Sequence, residues 1–141
     1  MKGASRGLKG GEKGRRGRGG KEEMKDFRDL KVWQKAVEFF ETVVLDLEQF
    51  PKTEVVRIIS GQVLRSASSI SANIAEGYGR HKGAEYIHYL HIARGSTNES
   101  IDRYEKLKRL GYIDKKTFID REGSLEEIRA MLTRMINRIS E

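Results

Sequence analysis

The sequence contains no cysteine. Disulfides, thiolate zinc sites and a cysteine nucleophile are therefore excluded, and a reducing compartment such as the cytoplasm is expected. No apolar run approaches the roughly 18–20 residues that a membrane span needs. The charged N-terminus lacks the apolar core of a secretory signal. A soluble cytoplasmic protein with no membrane partner follows as the expectation. Proline occurs once, at Pro51, and alternating β-branched segments are scarce. Long stretches of 3.6-residue period dominate instead, which points to an all-α chain. Its 141 residues suit one domain, and no repeat of 20–50 residues is present.

Glycine and positive charge are both concentrated at the start. Eight of the 15 glycines fall in the first 20 residues. Residues 1–25 hold nine Lys/Arg against three Glu, whereas residues 26–141 hold nineteen against eighteen Asp/Glu. The net charge of +7 therefore sits almost wholly in the tail, and the high pI does not describe a basic domain surface. Residues 1–25 are expected to be a disordered, basic Gly/Arg-rich tail, because ordering glycine backbone is costly and no apolar burial opposes it.

Four helices are expected over residues 26–141. The first spans about 29–49, with Asp26 or Asp29 as cap and Leu30, Trp33, Val37, Phe40, Val44 and Leu47 as its inner face. Phe50-Pro51 ends it. The second spans about 53–76, capped by Thr53, with Val56, Ile59, Val63, Ala67, Ile70 and Ile74 inward and Gly77 and Gly79 as its stop. The third spans about 83–110 and ends at Gly111. The fourth spans about 114–139 behind an Asp114 cap, with Gly123 a possible break. Trp33, Phe40, Ile70, Ile74, Leu90, Tyr104, Leu132 and Met135 are expected to share one core. Short connections imply antiparallel neighbours, hence an up-down-up-down four-helix bundle.

Beside the apolar stripe of the second helix runs a polar one: Gln62, Ser66, Ser69, Asn73 and Glu76, spaced 4, 3, 4, 3. The third helix is small and polar where it would face them, at Gly95, Ser96 and Thr97. A turn centred near Arg80 sets Gln62 opposite Asn98 and Glu99, and Ser66 opposite Gly95 and Ser96. Such a network fixes register when every member is satisfied. It is expected to be structural, with a ligand or partner surface at Asn73 and Glu76 as the alternative.

The motifs "FRDLKVWQKAVEF" (27–39), "QVLRSASSISANIAEGYGR" (62–80) and "IARGSTNES" (92–100) resemble the four-helix-bundle family encoded by intervening sequences in 23S ribosomal RNA genes. They are also similar to the Avd-like accessory proteins of diversity-generating retroelements. The resemblance covers residues 26–140 or so. It implies a non-enzymatic bundle that assembles as a homopentamer. For the retroelement branch it also implies binding to a reverse transcriptase and to nucleic acid. Family members begin just before "FRDLKVW", which makes Met24 an alternative start and the tail a leader foreign to the domain.

Catalytic and metal chemistry find little support. "EYIH" (85–88) is a single E-x-x-H where a di-iron bundle needs two copies and further glutamates. His88 and His91 lack a third ligand for zinc. Gly20-Lys21 is followed by Glu22, so no phosphate-binding P-loop exists. No cofactor, metal or catalytic residue is expected. The candidate chemistry is basic. Arg15, Arg16, Arg18 and Lys21 form an RGG-like stretch suited to phosphates and base stacking. On the bundle, Arg57, Arg65, Arg80, Lys82, Lys106, Lys108 and Arg109 are the candidates for a patch that contacts RNA or DNA. The competing expectation is a purely structural or protein-interaction bundle whose charges are an ordinary solvated surface.

Overall fold

The computed structural model describes residues 25–80 and 83–141. The expected tail, apart from Lys25, lies outside them, as do Arg15, Arg16, Arg18, Lys21 and Lys82. The described chain forms a four-helix bundle: α1 (Lys31–Glu48), α2 (Glu54–Arg80), α3 (Gly83–Arg109) and α4 (Lys115–Ser140). A 3-10 turn at Phe27–Asp29 precedes α1. No strand occurs among the described residues.

Local chemistry sets the ends. Asp26 caps the 3-10 turn in a capping box with Asp29, rather than capping α1 itself, whose first turn has no side-chain cap. Thr53 Oγ1 accepts the Val56 amide at 3.2 Å to start α2, and Asp114 accepts the Thr117 amide at 2.8 Å to start α4. Helix α3 stops where Gly111 takes φ +85°. There the Tyr112 amide donates to Leu107 O and the Gly111 amide to Lys108 O, both at 3.0 Å. This doubly bonded ending needs a left-handed residue, which glycine adopts without a Cβ clash.

Cross-helix side-chain bonds establish the antiparallel order. Ser66 and Ser69 of α2 meet Ser100 and Ser96 of α3. Arg94 and Asn98 of α3 meet Thr133 and Arg129 of α4. Lys35 and Asp46 of α1 meet Glu127 and Arg121 of α4. In every pair the partner number falls as the residue number rises. The core at the centre includes Phe39, Val63, Ile70, Ile74, Leu90, Tyr104, Leu107, Leu125, Ile128 and Leu132, all essentially shielded. Burying each such large side chain contributes about 1.5–3 kcal/mol against the entropy of ordering.

Three expectations change. The inner face of α1 is Val32, Ala36, Phe39 and Val43, one residue round from the expected stripe. Trp33, Val37, Phe40, Val44 and Leu47 lie beside it, half-buried. Helix α1 carries two adjacent apolar stripes, and a 3-4 spacing rule fits either of them. Met135, like Trp33 and Phe40, packs at the core's edge rather than within it.

Helix α2 does not stop at Gly77. It runs on to Arg80. Gly77 is buried, and a Cβ there would meet Tyr89 Cβ at 3.0 Å and Tyr86 Cδ1 at 3.1 Å. This glycine serves a close approach of α3 rather than a left-handed stop. Finally, α4 passes through Gly123 unbroken.

Candidate nucleic-acid interface

The polar stripe of α2 is partly an interface. Ser66 Oγ and Ser100 Oγ are 2.9 Å apart, and Ser66 also reaches the Val63 carbonyl at 3.2 Å. Ser96 donates to Ser69 Oγ at 2.9 Å. Asn73 Nδ2 donates to Ser69 O and Oγ at 2.8 and 2.9 Å. The register is one helical turn beyond the expected one: Ser66 faces Ser100, not Ser96. The cause is the continuation of α2 to Arg80, which moves the reversal past the expected centre. Gln62 accordingly does not reach Asn98 or Glu99. Glu99 pairs with Arg103 at 3.5 Å instead, and Asn98 accepts from Arg129 of α4 at 2.7 Å. Glu76 leaves the seam to pair with Arg80. Among the described residues no buried side-chain N or O lacks a partner. The seam is thus a satisfied neutral network between two close backbones.

The described basic candidates do not gather into one patch. Arg57 lies at the end of the bundle where α2 begins and α3 finishes, beside Lys106, Lys108 and Arg109. Arg80 lies at the opposite end. Most are also neutralised locally. Arg57 pairs with Glu54 at 2.6 Å, Lys106 with Asp102 at 2.9 Å, and Lys108 and Arg109 with Glu105 at 3.3 and 2.8 Å. The Arg109 hydrogen bond holds the Glu105 carboxyl below its ordinary range. Arg80 pairs with Glu76 at 2.6 Å, donates to Tyr89 Oη at 3.2 Å and lies 5.2 Å over that ring. Each acid sits three or four residues before its base, the favourable order on a helix. Exposed pairs of this kind are worth only about 0.2–1 kcal/mol each, yet they cancel the field a polyanion would meet. Arg65 is exposed and has no ion-pair partner among the described residues.

Sequence spacing misses two constellations, both assembled across helices. In the first, Asp46 of α1 accepts from Tyr104 Oη of α3 at 2.7 Å and from Arg121 of α4 at 2.7 and 2.8 Å. Burial, then the bond to Asp46, pushes the Tyr104 phenol far above its ordinary value. The Asp46 bond likewise raises the Arg121 guanidinium.

The second is a concavity of about 590 Å³ between α3 and α4, lined by Arg94, Asn98, Glu126, Arg129, Thr133 and Arg134 among others. Arg94 donates to Thr133 Oγ1 at 3.0 Å and lies 3.0 Å from His91 Nδ1. Arg129 donates to Asn98 Oδ1 at 2.7 Å, with Glu126 at 3.9 Å. The one local signal for it is the run from Ile128 to Ser140, which holds Arg129, Arg134 and Arg138 and no acid.

His88 packs edge-on against Tyr89 at 5.1 Å. No group of three or more His, Cys, Asp or Glu is placed to hold a metal among the described residues. No helix among them is long and apolar enough to cross a membrane.

Comparison with known proteins adds a family. A family model described as "23S rRNA-intervening sequence protein" matches residues 28–134. Among solved structures, a protein of unknown function from the S23 ribosomal protein family of Bacteroides thetaiotaomicron is similar. Identity is 29% and the TM-score 0.67, covering 74% of this chain and 97% of that one. No curated protein matches. Neither matching description names a reaction.

Proposed function

The chain belongs to the 23S rRNA-intervening sequence protein family, and we propose that it is a non-catalytic, self-associating cytoplasmic bundle that contacts RNA or DNA through basic surface. The observation that carries this reading is the surplus apolar arc of α1. Its second stripe, Trp33, Val37, Phe40, Val44 and Leu47, is only half-covered by the chain's own core. At its lower end it opens into a groove of about 640 Å³ with Phe50, Val56 and Leu64 in its walls. Leu45, Val55 and Ile58 are exposed on the same two helices. Apolar area of this extent on a small bundle favours assembly. A ring of five copies, as the family resemblance implies, repeats each uncompensated arginine five times and turns a nearly neutral domain into a strong local field.

A purely structural or protein-interaction role is the second reading. The ion pairing of Arg57, Arg80, Lys106, Lys108 and Arg109 favours it. A reverse-transcriptase accessory role is the narrower form of the first reading, and sequencing the flanking DNA tests it: a neighbouring reverse-transcriptase gene is the expected result, and a flanking ribosomal RNA gene would overturn it. Light scattering together with RNA binding across a salt series tests the proposal. The expected result is an oligomer whose affinity falls steeply with salt. A monomer that binds nothing at low salt leaves only the second reading.

A further inference from the structure

Apart from Glu126, the α3–α4 concavity is lined by neutral or cationic side chains. Arg94 donates to Thr133 Oγ1 and lies 3.0 Å from His91 Nδ1, and neither partner is a carboxylate, so its charge is oriented but not cancelled. Arg129 is held by Asn98 at 2.7 Å, and its nearest acid, Glu126, stands 3.9 Å away. Arg134 is exposed on the ridge that this concavity shares with a second one of about 230 Å³, which contains Lys31 and Arg138. The strip therefore brings five cations together against one weakly engaged carboxylate. On the rest of the described surface the basic candidates are mostly held by acids at 2.6–3.3 Å.

Arg138 alone has a simple structural account, since a cation in the last turn complements the helix dipole. Arg94, Arg129 and Arg134 lie further back, where that effect has faded. The planar guanidiniums of Arg94 and Arg129 are pre-positioned by Thr133 and Asn98 in a shallow open trough, and Arg134 stands exposed on its ridge. That arrangement suits a chain of phosphates, each needing a charge and a fork of donors, rather than one enclosed small anion.

We infer that the α3–α4 trough, built on Arg94, Arg129 and Arg134, is the docking site for the phosphodiester backbone of a nucleic-acid strand. This rests on the nucleic-acid reading above and gives it a location different from the paired lysines and arginines at the bundle ends. Contacts of this class position a strand without reading its bases, so discrimination among sequences is poor.

The test uses full-length protein and a fluorescent single-stranded RNA of about 20 nucleotides, titrated by anisotropy at several salt concentrations. The tail is present in every variant, so differences report the trough. Arg94→Gln/Arg129→Gln/Arg134→Gln is compared with Lys52→Gln/Lys115→Gln/Lys116→Gln, which removes equal charge from exposed lysines at the other end. The trough variant is expected to lose about tenfold or more in affinity, and its slope of log K against log salt should shrink by about two. The control should lose about twofold. Arg134→Gln alone removes an exposed side chain that makes no hydrogen bond or ion pair among the described residues, so it should show a smaller loss in the same direction even if the triple variant unfolds.

Equal losses in the two triple variants, or wild-type binding by a folded trough variant, overturns the site while leaving nucleic-acid binding intact. No binding by the wild-type protein at low salt overturns both. Wild-type protein that instead captures a polypeptide partner, with affinity unchanged by the trough substitutions, also overturns it.

Discussion

Between α2 and α3, Ser66 meets Ser100 and Ser69 meets Ser96, each at 2.9 Å, and Gly77 lets two tyrosines approach the helix backbone. Across the bundle, α1 is fastened differently. Its Phe39 stands edge-on to Tyr104 with ring centres 5.9 Å apart, and its Asp46 gathers Tyr104 and Arg121 from two other helices. Both regions bury polar groups. The first uses small neutral hydroxyls, and the second uses large rings and a charge. Neutral hydroxyls cost little to desolvate once they are bonded, and they let backbones close in. A carboxylate with two donors reaches further and ties three helices at one point, but it is expensive to leave half-made. The seam therefore sets the register of α2 against α3. The Asp46 cluster fixes α1, the helix with the least intimate packing, onto the rest.

The largest effect should come from the ring contact. Phe39→Ala removes a fully shielded aromatic side chain and leaves a cavity, so thermal or urea unfolding should show a loss of about 3–5 kcal/mol. Phe40→Ala should cost distinctly less in the isolated subunit, because Phe40 is only half-covered. The same change should weaken assembly if the outer stripe of α1 is an interface. A larger loss for Phe40→Ala than for Phe39→Ala in the isolated subunit would overturn the assignment of the inner face of α1.

That one-residue question marks where the sequence stops being informative. The helix count, the Thr53 and Asp114 caps, the Gly111 ending and the inner face of α2 follow from period and turn chemistry. In α1, Val32-Trp33, Ala36-Val37, Phe39-Phe40 and Val43-Val44 are adjacent apolar pairs, and periodicity alone cannot choose between them. Glycine has a similar double meaning, since Gly77 suits either a helix stop or a close packing contact, and here packing wins. The arginine trough and the Asp46 cluster were invisible for a different reason. Asp46 and Arg121 are 75 positions apart, and Arg94 and Thr133 are 39 apart. Spacing rules register neighbours on one helix, not partners on two. The basic residues that spacing does group, such as Lys106 to Arg109, are the ones whose acids sit one turn away on the same helix.

A smaller loss, about 2–3 kcal/mol, is expected for Asp46→Ala. It strands the buried Tyr104 hydroxyl and the Arg121 guanidinium, but the ion pair itself keeps some water, with Asp46 12% and Arg121 19% exposed, so the cost falls short of that for a fully buried pair. The same cluster predicts an alkaline limb. The Tyr104 phenol is raised in the folded state, so its stabilising contribution is complete below the ordinary tyrosine value near 10 and declines as pH rises above it. Tyr104→Phe should flatten that decline in urea midpoints measured between about pH 9 and 11. An unchanged slope would show that other groups govern it.

The smallest effect probes the seam and separates a specifying network from a stabilising one. Ser66→Ala or Ser100→Ala alone should cost about 1–2 kcal/mol, because the surviving hydroxyl is shielded and loses its cross-helix partner. Replacing both serines by alanine leaves no orphan and keeps the interface small enough for close packing. The double variant should therefore lose less than the two singles combined, with a coupling of at least about 0.5 kcal/mol in the cycle. By contrast, Asp46→Ala combined with Arg121→Ala should not recover in this way, because removing the second side chain also empties volume beside Tyr104. If the serine losses simply add, the hydroxyls act independently, and the close approach at Gly77 alone must account for the register of α2 against α3.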